Sequence, residues 1–300
     1  MDILDYYIRQ SCFTDPGRFS YLFAGLPRDL GDLCQVVDGI YIHYMSETTI
    51  QYPIPPNRLP EINLLYMEKM LGRIVEMDDR PLTAPRPMDK RLVGCCRDAA
   101  VLLCAMARHL AIPARVRVGF ANYFTKYDPD FNSNHVIVEV WNPREQHWGL
   151  VDPDLNERAV QDNQVPFSPL DVPRDRFQVG GLAWQMYRSG IINPSQYGVT
   201  ASSGMTGEAF IRGCLVQDLA ALNKLELLCW DCWGLMLKDM TTYTEAEWSL
   251  LDQVALLTQS GNDDFEAMRR LYETRDALRV PERITRFDPL GAPLEVPLDR

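Results

Sequence analysis

GCCRDAAVLLCAMARHLAIPARVRVGF, residues 94–120, is the stretch that sets the fold. It opens on Gly94 and two adjacent cysteines, Cys95 and Cys96. It then runs through Asp98–Leu110 (DAAVLLCAMARHL) with the Ala and Leu content of a helix. Pro113 ends that helix, because proline cannot continue the hydrogen-bond ladder. ARVRVGF (114–120) follows, with the alternation of a strand. A cysteine at a helix start lies where unpaired N–H groups and the positive end of the helix dipole converge, which favours thiolate. Gly94 would let the chain turn into the helix and admit a substrate close to the backbone.

Downstream, HVIVEVW (135–141) and HWGLVDPD (147–154) read as further strands separated by turn-rich sequence. The order helix, strand, strand, strand is an α+β pattern with antiparallel neighbours, not an alternating βαβ one. A thiolate nucleophile needs a base nearby. Of four histidines, His43, His109, His135 and His147, His135 opens a strand. If an even number of residues loops between the last two strands, His135 shares a sheet face with Asp152 and Asp154. A carboxylate there can hold the imidazole's tautomer and stabilise imidazolium. Cys96, His135 and Asp152 are the catalytic candidates, with Cys95 competing as nucleophile and Asp154 as third member. Cys104, two turns into the helix, reads as core; His109 suits a helix C-terminus; His147 reads as solvated and His43 as a partly buried, satisfied residue. Arg97 and Asp98 read as a cap and ion pair, and Trp141 and Trp148 as packing residues.

These blocks resemble the core of the transglutaminase-like superfamily, cysteine acyl-transfer proteins related in architecture to papain-like proteases. Residues 94–120 resemble its nucleophile block, HVIVEVW its histidine block and HWGLVDPD its aspartate block. Together they span about 60 of 300 residues. The resemblance implies an α+β, papain-like core of a helix on an antiparallel sheet, with Cys96, His135 and Asp152 as the triad. It implies acyl transfer through a thioester acyl-enzyme, from an amide or thioester donor to an amine. The donor would be a small molecule or a peptide, and a carrier protein could present it. A hydrolase (peptidase or amidase) with the same triad and a non-catalytic binding protein that keeps the fold are the alternatives. Two departures stand out. Ala111 replaces the usual Gly before I-P-A-R, and Ile137 replaces the usual aromatic two residues after the histidine.

The remainder bounds these readings. At 46% hydrophobic and 24% charged, the chain has a globular balance. A net charge of −11 disfavours nucleic acid as a partner. The N-terminus lacks a basic, apolar leader and no window is apolar enough for a membrane span, so the expected home is the cytoplasm. Residues 1–300 read as a single domain, with a helical part at 1–90, the core at 91–155 and a mainly helical part at 156–300. Within these, 28–45, 61–77 and 215–238 carry helical periodicity, Thr244 and Glu247 fit a capping box, and GAPLEVPLDR reads as a draped tail. Eight cysteines fit thiols in a reducing compartment. The lone pair Cys229-x-x-Cys232 lacks the further ligands of a zinc site and reads as one buried helix face. No metal and no cofactor are expected.

Overall fold

Along the chain, short helices precede the core: α1 (Ile3–Ile8), α2 (Leu30–Ile40) and α3 (Met67–Met77). The strand β1 (Tyr41–His43) directly follows α2, and β2 (Leu92–Gly94) leads into α4 (Cys96–His109). Then come β3 (Ala114–Ala121), β4 (Asn132–Asn142) and β5 (His147–Val151). The rest comprises α5 (Glu157–Asp162), β6 (Phe177–Val179), α6 (Gly180–Arg188), β7 (Tyr197–Gly198), α7 (Glu208–Leu222) and β8 (Asp231–Cys232). The last elements are α8 (Glu245–Leu257), α9 (Phe265–Thr274), β9 (Arg283–Arg286) and β10 (Leu294–Pro297). This computed structural model describes residues 2–45, 51–126, 128–259 and 262–299.

The α+β class holds. One sheet has the strand order β5-β4-β3-β6, with β7 pairing β4. β4 and β5 are antiparallel, from Val138↔Val151 to Asn142↔His147. Pro143 to Gln146 form the loop, an even number of residues, so the register has the parity the sequence reading required.

In space the chain groups into two compact units. The first holds residues 1–116, 137–161 and 166–172, and the second holds 117–136, 162–165 and 173–300. Of the segment 91–155, residues 91–116 and 137–155 fall in the first unit and residues 117–136 in the second. In the first unit α4 is buried from Cys96 to Arg108 and packs against α1, α2 and α3. Its buried arginine is hydrogen-bonded inside: Arg108 Nε donates to Ala114 O at 3.0 Å and its Nη1 to Thr14 Oγ1 at 2.9 Å. Arg115 and Glu139, buried neighbours on β3 and β4, meet at 2.7 Å. The Arg115 guanidinium also lies 4.2 Å from the Trp148 ring centroid.

In the second unit α7 is buried over most of its surface and packs on α6 and α8. The expected capping box is present at Thr244 and Glu247 and starts α8.

Three helical expectations are corrected. The periodic stretch 28–45 is helix only to Ile40, because Tyr41–His43 pairs in parallel with Leu92–Gly94. The stretch 61–77 is α-helix only from Met67; Pro60 lies within a 3-10 segment, Pro56–Asn63. The stretch 215–238 stops at Leu222, where Asn223 Nδ2 donates to Leu219 O at 2.8 Å and Lys224 turns left-handed. Cys229 and Cys232 consequently lie on a turn and on β8, not on one helix face. The tail is also not draped: Leu294–Pro297 pairs antiparallel with Arg283–Arg286, while Arg300 lies outside the described residues.

Candidate active site

The start of α4 is built by a reciprocal cap. Asp98, three residues into the turn, accepts the Cys95 N–H at Oδ2, 2.8 Å. The Cys95 sulfur occupies the other half of the capping box, against the Asp98 backbone N–H. Arg97 donates to Asp98 Oδ1 at 3.0 Å and to Leu65 O at 2.8 Å, which ties the turn to the preceding loop. Burial pushes the Asp98 carboxyl up, and Arg97 and the Cys95 hydrogen bonds oppose it. Arg97 and Asp98 thus cap and pair, as their sequence position implies. Cys96 is the first helical residue, 6% exposed.

Gly94 is required here by space. A Cβ at that position would come within 2.7 Å of Asp98 Oδ2, 2.9 Å of Asp98 Cβ and 3.0 Å of Tyr41 Cε2. Its φ is not among the positive values. The residue therefore admits Asp98 and Tyr41 against the backbone, where the sequence reading expected a sharp turn.

The strand β1, in place of a helix running to residue 45, brings Tyr41 and His43 to this neighbourhood. On β1, His43 is the register partner of Gly94, and Tyr44 N–H donates to Gly94 O at 2.9 Å. His43 Nδ1 accepts the Met45 N–H at 3.1 Å, so the neutral ring carries its proton on Nε2. That nitrogen lies 3.8 Å from Asp154 Oδ2. Asp154 thereby has a histidine partner other than the one the sequence suggested. Tyr41, 5% exposed, lies within electrostatic reach of Asp154, Cys95, Cys96 and Asp98. The signal for β1 was Tyr-Ile-His-Tyr directly after Gly39-Ile40, aromatic and β-branched residues in a row.

Asp152 follows β5 and is 1% exposed. Its N–H donates to Pro169 O at 2.8 Å, and its Oδ1 accepts the Asp154 N–H at 3.0 Å. It faces α2: burial first, then Asp152 and Asp29, push the Cys34 thiol up to about 12. Cys96, Tyr41, His43, Asp152 and Asp154 all belong to the first unit. His135 lies on β4 in the second unit, two residues before the strand enters the first. It is 3% exposed, and Tyr123, Phe124 and Phe177 meet its ring edge-on, Phe124 at 4.9 Å.

The other singled-out residues take plain structural places. Cys104 is fully buried, with its sulfur 3.5 Å from Ala114 O. His109 ends α4 with its ring against Phe23. His147 is exposed beside Glu145, and Trp141 and Trp148 pack edge to face. Ile137 is fully buried.

Residues 77–153 match the family described as the transglutaminase-like superfamily. No curated protein matches the chain. Among solved structures, a candidate cysteine protease from Cytophaga hutchinsonii is similar at 16% identity and a TM-score of 0.33. The alignment covers 59% of this chain and 45% of that one, so this chain spans under half of its length.

Proposed function

We propose that this chain, whose residues 77–153 belong to the transglutaminase-like superfamily, is a cysteine-dependent enzyme that transfers an acyl group through a thioester acyl-enzyme. The observation that carries the reading is Cys96 as the first residue of a long buried helix, inside the matched segment. The helix N-terminus favours the thiolate. The Cys95 sulfur faces the Asp98 backbone N–H in the capping box, which favours Cys96 as nucleophile.

The Cys96 thiolate attacks an amide or thioester carbonyl carbon, and the carbonyl π pair moves onto oxygen. The tetrahedral intermediate collapses, the C–N or C–S bond breaks, and imidazolium at His135 protonates the departing amine or thiol. His135 then removes a proton from the acceptor, which attacks the thioester and frees Cys96. Asp152 holds the imidazole's second N–H. The Cys96 backbone N–H is the first oxyanion donor. Cys96, His135 and Asp152 are 6%, 3% and 1% exposed. An amine acceptor that reaches the acyl-enzyme ahead of water gives amide-bond formation. The donor would be a small acyl thioester or amide, free or on a carrier, or a peptide.

Intact mass spectrometry with acyl thioesters and peptide amides tests this. The wild type should gain the acyl mass, Cys96→Ala should not, and amines should release the adduct faster than water. His135→Ala and Asp152→Asn should slow turnover by roughly 10³ or more. Release by water at the same rate as by amines makes the chain a hydrolase; equal acylation of Cys96→Ala defeats the cysteine mechanism.

A further inference from the structure

The Tyr41 hydroxyl is buried and meets no hydrogen-bond partner among the described residues. Leaving a buried hydroxyl unsatisfied is costly, so its persistence calls for a compensating role. Its surroundings suggest that role. β1 runs beside β2, and the Tyr41 ring edge crowds Gly94: a Cβ there would lie 3.0 Å from the ring's Cε2. Cε2 adjoins the carbon that bears the hydroxyl. The polar end of the ring therefore stands at the entry to α4, beside Gly94 and the two cysteines that follow it.

We propose that Tyr41 donates its phenolic proton to the oxyanion that forms when Cys96 attacks a carbonyl, as the second oxyanion donor beside the Cys96 N–H. This assignment rests on the acyl-transfer reading above. The chemistry fits a donor. Burial first, then Asp154, Cys95, Cys96 and Asp98, hold the phenol well above its ordinary range, so it stays protonated at neutral pH. A hydroxyl left unpaired at rest loses no existing bond when the oxyanion forms. Its hydrogen bond is made only in the transition state, the condition for raising kcat. The step balances simply: sulfur bonds carbon, the π pair goes to oxygen, and the phenol shares its proton without transferring it. On collapse the C–O double bond returns and the leaving group departs.

The test is Tyr41→Phe in the full chain, which removes one oxygen. Two reactions of Cys96 are compared: acylation by 4-nitrophenyl acetate, which passes through an oxyanion, and alkylation by iodoacetamide, which does not. Both are followed by intact mass and by peptide mapping of Cys96. Acylation should fall by about 10²–10³-fold, the loss typical of one oxyanion donor. Alkylation rate and its pH midpoint should be unchanged, with Tm no lower than wild type. If both reactions slow by the same factor, the tyrosine acts through the fold and the assignment is overturned. If the alkylation midpoint moves to higher pH, Tyr41 serves the thiolate instead, and the assignment is again overturned. Acylation within twofold of wild type also overturns it. A wild-type chain that does not acylate at Cys96 at all sinks the acyl-transfer reading, and the Tyr41 role with it.

Discussion

Ala111 closes α4 with φ at +59°, a left-handed conformation that a side chain with Cβ resists. The turn it makes is the helix-ending motif in which Ile112 N–H reaches Ala107 O at 2.9 Å and Ala111 N–H reaches Arg108 O at 3.1 Å. That geometry explains why glycine is usual at this place in related sequences. Ala111→Gly should remove the strain of the left-handed alanine, partly offset by the greater freedom of glycine in the unfolded chain. A net gain of about 0.5–1 kcal/mol is expected in urea unfolding; a lower midpoint would show that the turn is not strained. Glu61 gives a second residue-scale expectation. Burial alone would raise its carboxyl, but Arg58, the Val93 N–H and Arg73 outweigh that and hold it below its ordinary value of 4.5. Its oxygens accept from Arg58 Nε at 2.9 Å, Arg73 Nε at 2.9 Å and Val93 N at 3.0 Å, so it anchors β2. A depressed folded pKa means its stabilisation is complete above the unfolded value and disappears as pH falls through the folded one. Tm from pH 6 down to pH 3 should therefore fall more steeply in wild type than in Glu61→Gln. Parallel curves would remove Glu61 from the acid response.

At the scale of elements, one carboxylate joins α7 to β3. Asp218 accepts Arg117 Nε at 2.9 Å, Arg117 Nη2 at 2.8 Å and the Val118 N–H at 2.8 Å. Arg117 also donates to Thr258 O at 2.9 Å, at the end of α8. Both side chains are buried, so Asp218→Ala would strand a guanidinium without its counter-charge. A loss of about 3–5 kcal/mol is expected in chemical denaturation; a loss under about 1 kcal/mol would mean water or another acid replaces it. This junction lay beyond the sequence, because α7 and β3 meet only after folding. The central elements were legible for the opposite reason: α4, β3, β4 and β5 each carry their own period, and each is bounded by Pro113 or a polar turn. β1 was lost because its three residues continue the apolar spacing of α2, and only pairing with Leu92–Gly94 makes them a strand. The end of α7 was lost likewise, since apolar residues continue past Leu222 while Asn223 and Lys224 turn the backbone. Tyr41 is hidden by the first of these differences, and His43, read as partly buried and satisfied, gains its place beside Gly94 only from the strand.

At the scale of the whole chain, eight cysteines are one letter in the sequence and several chemical species in the fold. Burial, reinforced by Asp152 and Asp29, holds Cys34 at about 12, and burial with Asp231 holds Cys232 at about 11. Burial also pushes Cys214 up strongly, while Cys12 is exposed. Sequence could rank none of these, because thiol acidity follows neighbours that tertiary contacts supply. Thiolate is the species that alkylates, so iodoacetamide labelling of the native chain should separate them by rate. Cys34 and Cys232 should remain unlabelled at pH 8 although both are only partly covered, and Cys214 should remain so under every native condition. Cys12 should label readily, as an exposed thiol. Cys96, at the positive end of α4, should be the one that reacts below pH 7. Peptide mapping after timed labelling at several pH values reads all of these together. Labelling of Cys34 at the Cys12 rate at pH 8 would show that α2 does not hold that thiol against Asp152. A chain with no fast thiol below pH 7 would have no ready nucleophile, and Cys96 would then be the first turn of a buried helix and nothing more.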